Sequence, residues 1–318
     1  MIELDHVIKR FGQRLAVDDL TLTVPAGEIF GLLGHNGAGK STSIGMMLGQ
    51  VWPTAGTVKV CGHEVTTRRQ LALQKVGAIF EAPAFYDDLT GWRNLEILSH
   101  FTGPTSPERL REVVDWVGLS GRERTKVRTY SHGMRARLAL AQALLPKPEL
   151  LILDEPGSGL DPEGIAEMRQ TILRLRHELG LTILLSSHLL NEVEQLCTKI
   201  AVLNRGRKVF EGALAETKRR HQSVRLVVDR FDLAAARLRQ AALTQDERAG
   251  RFVTLAPGVR TDRIVEFLVG QGIRVFEIAP EEETLEGFYL TLMHGPPAGE
   301  VHRPASDTAR LAPASTQA

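Results

Sequence analysis

Residues 29–42 read Ile-Phe-Gly-Leu-Leu-Gly-His-Asn-Gly-Ala-Gly-Lys-Ser-Thr, an apolar run that leads into a glycine-rich loop. From Gly34 to Ser41 the spacing is glycine, four residues, then Gly-Lys-Ser, which is the spacing of a phosphate-binding P-loop. Glycine leaves backbone N–H groups free to curl around phosphate oxygens, and a helix that starts after the loop adds partial positive charge. The candidate nucleotide contacts are therefore Gly34, His35, Asn36, Gly37, Ala38, Gly39, Lys40, Ser41 and Thr42.

Two residues of this loop have separate predicted tasks. Lys40 would neutralise the β- and γ-phosphate oxygens of ATP, and the Ser41 hydroxyl would hold Mg²⁺. The competing interpretation is a glycine-rich turn that happens to contain a lysine. Such a turn requires neither an apolar strand before it nor a helix-compatible stretch after it, and the sequence has both. We therefore favour nucleotide binding.

A second apolar run, Leu150–Leu153, ends in two carboxylates, Asp154 and Glu155. By itself such a pair fits a solvated strand end equally well, but downstream of a P-loop it indicates a Walker B strand. Asp154 would then engage Mg²⁺ through its hydration shell. Glu155, one residue further on, would be the general base that polarises the attacking water. The two motifs together predict nucleotide hydrolysis at a shared Mg²⁺ site.

A third motif, Ser131-His132-Gly133, lies ahead of that strand at the start of a predicted helix, for which Ser131 is a good N-cap. The apolar stripe of this helix is spaced four, three and four residues apart: Met134, Leu138, Ala141 and Leu145. In this position the chain resembles the ATP-binding cassette (ABC) family, whose signature is usually Leu-Ser-Gly-Gly-Gln. Ser131 and Gly133 match that pattern, while His132 departs from it. Without its placement, the motif fits a plain helix cap.

The resemblance implies three further nucleotide contacts. Phe11 takes the place of the aromatic residue that stacks on adenine, for which the competing interpretation is a core phenylalanine. Asp161, in the stretch 158–162, matches the D-loop that crosses the dimer interface, and Gly157 before it stands where the family usually has threonine. His188 follows another apolar run and matches the switch histidine that contacts the γ-phosphate.

Glu81 is a departure from the family, which usually has a glutamine at this position. The amide oxygen of that glutamine approaches Mg²⁺ and the attacking water. A carboxylate could also ligate Mg²⁺, because it is a hard oxygen donor, but it would add negative charge near Asp154 and Glu155. The competing interpretation is a glutamate turned to solvent. Glu81 is therefore a third candidate Mg²⁺ ligand beside Ser41 and Asp154.

The predicted fold class is α/β. The resemblance implies an ABC cassette of the P-loop NTPase type over residues 1–218, with a mixed core sheet, an N-terminal antiparallel β subdomain and a helical subdomain at about 89–145. Alternating strand-like and helical runs predict a small C-terminal α+β domain over 219–295, which resembles the accessory domain of antibiotic-resistance and multidrug exporter ATPases. Residues 296–318 hold four prolines, six alanines and no aromatic residue, which predicts a disordered tail.

Composition narrows the choice of partner. Lys and Arg total 39 against 38 Asp and Glu, so no global basic field draws the chain to nucleic acid or anionic lipid. Cys61 and Cys197 share no ligand-type spacing, which argues against a disulfide scaffold or a cysteine zinc site. The acidic opening Met-Ile-Glu-Leu-Asp is unlike a signal peptide, and no apolar run approaches the roughly 18 residues of a membrane span. We therefore expect a cytoplasmic protein that meets the inner face of the membrane only through a partner.

The resemblance implies an ATP-hydrolysing subunit that powers export through an integral-membrane permease on a separate chain. The family sandwiches ATP between two cassettes, so Ser131, His132 and Gly133 would serve the nucleotide of a second copy, or of a related cassette. The alternative is a soluble ABC ATPase acting on nucleic acid or ribosomes. Such proteins carry long coiled-coil insertions or two cassettes in one chain, and this sequence has neither. A binding module without hydrolysis is disfavoured because Lys40, Glu155 and His188 are intact.

Overall fold

The computed structural model describes residues 1–80, 84–102, 105–217, 220–248, 251–282 and 284–294. Glu81 and the predicted tail at 296–318 lie outside these residues. The strands up to residue 217 are β1 (Ile2–Phe11), β2 (Arg14–Val24), β3 (Ile29–Leu33), β4 (Ala55–Val60), β5 (His63–Glu64), β6 (Val76–Ile79), β7 (Leu150–Asp154), β8 (Thr182–Ser187), β9 (Lys199–Asn204) and β10 (Arg207–Ala213). The helices between them are α1 (Lys40–Met47), α2 (Val65–Leu73), α3 (Gly91–Thr102), α4 (Pro107–Trp116), α5 (His132–Leu144), α6 (Pro162–Leu179), α7 (Leu190–Leu196) and α8 (Leu214–Thr217).

These strands form two sheets. The first is antiparallel, in the order β2-β1-β4-β5, and corresponds to the predicted N-terminal β subdomain. The second has the order β10-β9-β3-β8-β7-β6 and is mixed, because β10 runs antiparallel to β9 while the other neighbours are parallel. The predicted α/β class with a mixed core sheet is confirmed.

The centre of the mixed sheet is covered on both faces. β3, β7 and β8 are buried along their whole length, as their continuous apolar runs predict. Neighbouring side chains alternate between the faces, so Leu32 and Leu33 enter different hydrophobic clusters. One cluster includes α1 and the antiparallel sheet, and the other includes the helices α3 to α7. Two-sided burial fixes the positions of the loops at the strand ends.

The helices α3, α4 and α5 occupy residues 91–144, close to the predicted helical subdomain. Two of them begin at serine caps. The Ser106 side chain accepts a hydrogen bond from the N–H of Arg109 at the start of α4, and Ser131 accepts one from Met134 at the start of α5. On α5 the buried surface extends from Leu138 to Leu144 and is wider than the predicted stripe, because the helix also packs against α3, α4 and α6.

The C-terminal part has its own sheet. Its elements are β11 (Arg220–Val228), α9 (Phe231–Gln240), β12 (Thr244–Arg248), β13 (Phe252–Leu255), α10 (Thr261–Gly270), β14 (Val275–Glu282) and α11 (Leu285–His294). The four strands are antiparallel in the order β12-β13-β11-β14, and α9 and α10 complete a separate small core. Helix α11 is different, because Leu285 is fully buried in the larger cluster around α3 to α7.

Candidate nucleotide-binding site

The glycine-rich loop connects β3 to α1 at the edge of the mixed sheet. Gly34, Gly37 and Gly39 all have positive φ angles, of 156°, 84° and 108°. A Cβ atom on Gly34 would lie 2.7 Å from the carbonyl oxygen of Leu203, and one on Gly39 would lie 2.9 Å from that of Ala16. Glycine is therefore required here both for the backbone conformation and for close packing. The loop forms a concave surface of backbone groups at the start of α1, which fits a phosphate.

Lys40 folds back over this loop. Its side chain is only 6% exposed, and its Nζ donates a 2.6 Å hydrogen bond to the carbonyl oxygen of Gly34. The same Nζ lies 3.5 Å from Oε1 of Glu155. A buried ammonium group needs compensating negative charge or hydrogen bonds. Here one carbonyl and one carboxylate hold the ammonium beside the loop, where the phosphates of a nucleotide could replace or join them.

Asp154 and Glu155 are held at the end of β7 by Ser186 on the neighbouring strand β8. The Ser186 hydroxyl donates to Oδ1 of Asp154, and the Glu155 N–H lies 3.1 Å from that hydroxyl and 3.2 Å from the Ser186 carbonyl oxygen. Glu155 has a φ of 52°, in the left-handed region that costs a non-glycine residue on the order of 1–2 kcal/mol. The surrounding hydrogen bonds hold this turn, which directs the Glu155 side chain to Lys40 rather than along the strand.

His188 completes this group of side chains. Its Nδ1 is within hydrogen-bonding distance of Oε2 of Glu155, while the other carboxylate oxygen faces Lys40. The single carboxylate of Glu155 therefore lies between an ammonium and an imidazole. His188 is about half exposed, and Glu155 is one quarter exposed, so water can reach both. This arrangement suits a carboxylate that accepts a proton from water beside a bound phosphate.

A cavity of about 380 Å³ contains most of the predicted loop together with the two catalytic candidates. It is lined by Arg14, Ala16, His35, Asn36, Gly37, Gly39, Lys40, Ser41, Thr42, Glu155, Ser158 and His188. Arg14, Ala16 and Ser158 were not predicted as site residues. Ser158 could have been included, because it begins the predicted D-loop, but no motif marks Arg14 or Ala16.

The predicted adenine-stacking residue lies at the margin of this site. Phe11 ends β1, its side chain is half exposed, and it pairs across the hairpin with Arg14, which lines the cavity. The Nζ of Lys9 lies 4.7 Å from the centroid of the Phe11 ring and covers part of one face. The exposed aromatic surface is consistent with base stacking and does not fit the alternative of a core phenylalanine.

The signature residues and Asp161 of the D-loop lie outside the lining of this cavity, whereas Ser158 of the D-loop is part of it. His132 and Gly133 begin α5 just after the cap residue Ser131, and the side chains of Ser131 and His132 are exposed. Asp161 caps α6, because its Oδ1 accepts a 2.9 Å hydrogen bond from the N–H of Gly164. Within one chain these residues cap helices, and any contact they make with a nucleotide would need a second chain.

Gly157, where the sequence departs from the family, packs against Glu192 of α7. A Cβ atom at Gly157 would lie 2.5 Å from Oε1 of Glu192. Glu192 is 8% exposed, the Ser187 hydroxyl lies 3.5 Å from its Oε2, and its Oε1 has no hydrogen-bond partner among the described residues. Burial raises the pKa of Glu192, and the nearby negative charge of Glu155 acts in the same direction. The glycine therefore makes room for a buried acid behind the catalytic candidates.

The C-terminal helix α11 also reaches this region. The N–H of Leu285 donates a 3.1 Å hydrogen bond to Oε1 of Glu194 on α7, and the ring of Phe288 meets that of Phe210 edge-on at 4.8 Å between centroids. Burial raises the pKa of the Tyr289 hydroxyl, and a hydrogen bond with the backbone of His35 opposes that rise. Helix α11 therefore contacts both the helix after His188 and the glycine-rich loop.

The oxygen donors at the site fit a magnesium ion that arrives with a nucleotide. Ser41 lines the cavity, and Asp154 is 9% exposed at the end of the adjacent strand β7. Hydroxyl and carboxylate oxygens are the hard ligands that Mg²⁺ prefers, usually together with substrate phosphates. No group of three or more His, Cys, Asp or Glu side chains that could hold a metal occurs among the described residues.

Three comparisons place this geometry among known proteins. The family model described as ABC transporter matches residues 17–158. The chain is 39% identical over 293 residues to an uncharacterized ABC transporter ATP-binding protein, YhcH of Bacillus subtilis, with 92% of this chain and 95% of that protein covered. It is 38% identical to the bacitracin transport ATP-binding protein BcrA of Enterococcus faecalis, with 93% and 97% covered. The dimeric ATP-binding cassette MJ0796, solved in a post-hydrolysis state with ADP and phosphate, superimposes with a TM-score of 0.61 at 25% identity, over 67% of this chain and 99% of that one.

Proposed function

The chain belongs to the ABC transporter family, and from this premise we propose that it binds and hydrolyses ATP to power an export system. The observation that best supports this function is the convergence of Lys40, Glu155 and His188 on the glycine-rich loop in one cavity. Two relatives that match most of the chain are ATP-binding proteins by name, one of them for bacitracin transport. We propose that this chain likewise serves the transport of bacitracin or a similar compound.

In this proposal the residues in and around the cavity have separate roles in binding and hydrolysis. The backbone amides of the loop and the Lys40 ammonium bind the phosphates, while Phe11 stacks on the adenine ring. Glu155 accepts a proton from the attacking water, and His188, which already contacts Glu155, orients that carboxylate towards the γ-phosphate. Ser41 and Asp154 would hold Mg²⁺, which neutralises charge that develops on the phosphates. Glu81 stays a predicted third ligand.

We propose that the working unit contains two cassettes. The exposed start of α5 supports this, because Ser131 and His132 are exposed and do not line the cavity of their own chain, and the start of a helix favours an anion. Ser131, His132 and Gly133 would contact the γ-phosphate bound by the partner, and Asp161 would lie near the interface. A symmetric pair of chains would then contain two composite sites.

The permease is proposed as a separate chain. None of the helices among the described residues is long and apolar enough to cross a membrane. We propose that the cassette spans residues 1–218 and an accessory domain spans 219–295, and that the protein is cytoplasmic and attaches to the inner face of the membrane through the permease. No role for nucleic acid is proposed.

Two measurements test this function. The purified chain should release phosphate from ATP in a Mg²⁺-dependent reaction, and Lys40→Ala should weaken ATP binding. In its own host, the tagged protein should sediment with membranes, and deletion of the gene for its hydrophobic partner should return it to the soluble fraction. Absence of turnover above the Lys40→Ala background would contradict the ATPase assignment. Turnover with no membrane association in either strain would contradict the transport assignment alone.

A further inference from the structure

Arg14 lies between the two parts of the site that would hold the ends of a nucleotide. It begins β2 and pairs across a tight hairpin with Phe11, the proposed adenine contact. On its other side, a guanidinium nitrogen of Arg14 comes within 3.9 Å of the position that a Cβ on Gly37 would occupy. Arg14 thus joins the aromatic residue to the glycine-rich loop.

The charge of Arg14 is not neutralised within the described residues. Lys40 has Glu155, and Arg207 has Asp18 at 2.6 Å, whereas Arg14 forms no ion pair with a described carboxylate. It nevertheless lines the cavity that contains Lys40 and the loop. A guanidinium beside a concave surface of N–H groups adds a second fixed positive charge where a polyanion would bind.

The order of these groups indicates which part of a nucleotide Arg14 faces. With the base on Phe11 and the β- and γ-phosphates on the loop and Lys40, the ribose and the α-phosphate must cross the space between them. Phosphate is the chemical group of this connecting part that a guanidinium recognises best, because its parallel N–H donors match two phosphate oxygens.

We propose that Arg14 binds the α-phosphate, the part of the nucleotide that joins the ribose to the phosphates held by the loop and Lys40. The inference rests on the proposed nucleotide site. It assigns to this chain a contact that lies outside its recognised motifs. Arg14 acts by binding substrate, and it takes no part in the transfer of protons.

The test is the equilibrium affinity for ATP, ADP and inorganic pyrophosphate, measured by calorimetry on the full chain. Arg14→Gln should weaken ATP and ADP by the same factor, since both carry an α-phosphate. A hydrogen bond to a charged group contributes about 1.5–3 kcal/mol, which corresponds to a loss of roughly 10- to 150-fold. Pyrophosphate affinity should fall less, because its two phosphates can occupy the positions of the β- and γ-phosphates on the loop and Lys40 without an α-phosphate. Arg14→Lys keeps the charge but not the paired donors, so its ATP affinity should lie between those of the parent and Arg14→Gln.

Arg10→Gln is the matched control. It makes the same change of charge on the same hairpin, and Arg10 is exposed and is not part of the cavity lining. Its ATP affinity should stay within about two-fold of the parent, since Arg10 does not line the cavity and a surface charge away from the ligand contributes little. The raised thermal midpoint on ATP addition gives a second readout of binding.

Three results would overturn the inference. Equal affinities for Arg14→Gln and Arg10→Gln would show that Arg14 does not touch the nucleotide. A loss confined to ATP, with ADP unchanged, would move the contact to the γ-phosphate. An equal loss for all three ligands would show a general electrostatic effect. If the parent chain itself binds no ATP, the proposed function fails. The two failures are distinguishable, because the Arg14 inference concerns only the variants and leaves ATP binding by the parent intact.

Discussion

The two largest folded parts of the chain build their sheets differently, and among the described residues only one of them brings Lys40, Glu155 and His188 together. In the mixed sheet, β3, β7 and β8 run parallel and are buried throughout. In the C-terminal sheet all neighbouring strands are antiparallel, and β13 alternates between buried and partly exposed residues. Phe276 on β14 is 64% exposed.

The difference between parallel and antiparallel pairing explains the position of the site. Parallel strands all end at the same edge of a sheet, so the loop after β3 meets Glu155 after β7 and His188 after β8. Antiparallel neighbours end at opposite edges, and among the residues that the structure describes the C-terminal sheet brings no such group together. Burial on both faces then holds the loops of the mixed sheet in place, which a site for phosphate chemistry requires.

Helix α11 belongs to the C-terminal part by its position in the chain, but it packs against the larger core. It follows β14 in the chain, yet Leu285 lies in the core of the cassette and Tyr289 contacts the glycine-rich loop. Helix α11 therefore follows the C-terminal sheet in the chain but packs against the larger core. Four experiments test this comparison.

The largest effect should come from the same chemical change made in each sheet. Glu155→Gln should lower steady-state ATP turnover by roughly 100- to 10,000-fold, because the amide cannot accept the proton of the attacking water. ATP binding should persist. Glu277→Gln removes an exposed carboxylate that pairs with Arg225 on the C-terminal sheet, and turnover should not change. Phosphate release and ATP binding, measured on both variants, show whether the loss of turnover is specific to Glu155. Parental turnover by Glu155→Gln would remove the assigned base.

The next effect concerns the helix that crosses the boundary. Leu285→Ala should reduce the free energy of unfolding by about 2–5 kcal/mol, because it empties space in the cassette core. Leu290→Ala on the same helix should have a much smaller effect, since that side chain is 47% exposed. Urea unfolding compares the pair. Equal small losses would mean that α11 is not part of the core.

A smaller effect is expected from the hydroxyl of Tyr289. Tyr289→Phe keeps the ring and removes the hydroxyl, which lies near the backbone of His35. A polar contact of this kind contributes up to about one neutral hydrogen bond, 0.5–1.5 kcal/mol, and a less firmly held loop should raise KM for ATP by roughly two- to ten-fold. The turnover number should not change, because Tyr289 has no assigned role in the proton transfer by Glu155. An unchanged KM would show that α11 packs on the loop without affecting nucleotide binding.

The smallest effect is a change in the pH dependence of stability. Burial raises the pKa of Glu192 above its ordinary value of 4.5, so its stabilising contribution is complete at low pH and is lost as pH rises through the raised pKa. Gln cannot ionise, so Glu192→Gln should lose less stability than the parent when the pH is raised from about 5 to 8. Thermal midpoints across that range measure it. Parallel curves would contradict a pKa raised in the folded state.

The sequence by itself predicted the glycine-rich loop after β3, the strand that ends in Asp154 and Glu155, and most of the strands and helices around them. Each of these depends on residues close together in the chain. Glycine spacing permits the positive φ angles of the loop, continuous apolar runs require strands covered on both faces, and Ser131 or Asp161 can cap a helix within a few residues.

Only the tertiary structure decided which distant side chains meet at the site. Arg14 lines the cavity because β2 passes the loop, and no local pattern marks it. Gly157 is explained by Glu192, which is 35 positions further along the chain. The contact of Tyr289 with His35 depends on where α11 packs. Such contacts arise from the packing of the whole core, where buried area and side-chain shape select one arrangement. Local sequence patterns do not predict them, because the partners are far apart in the chain.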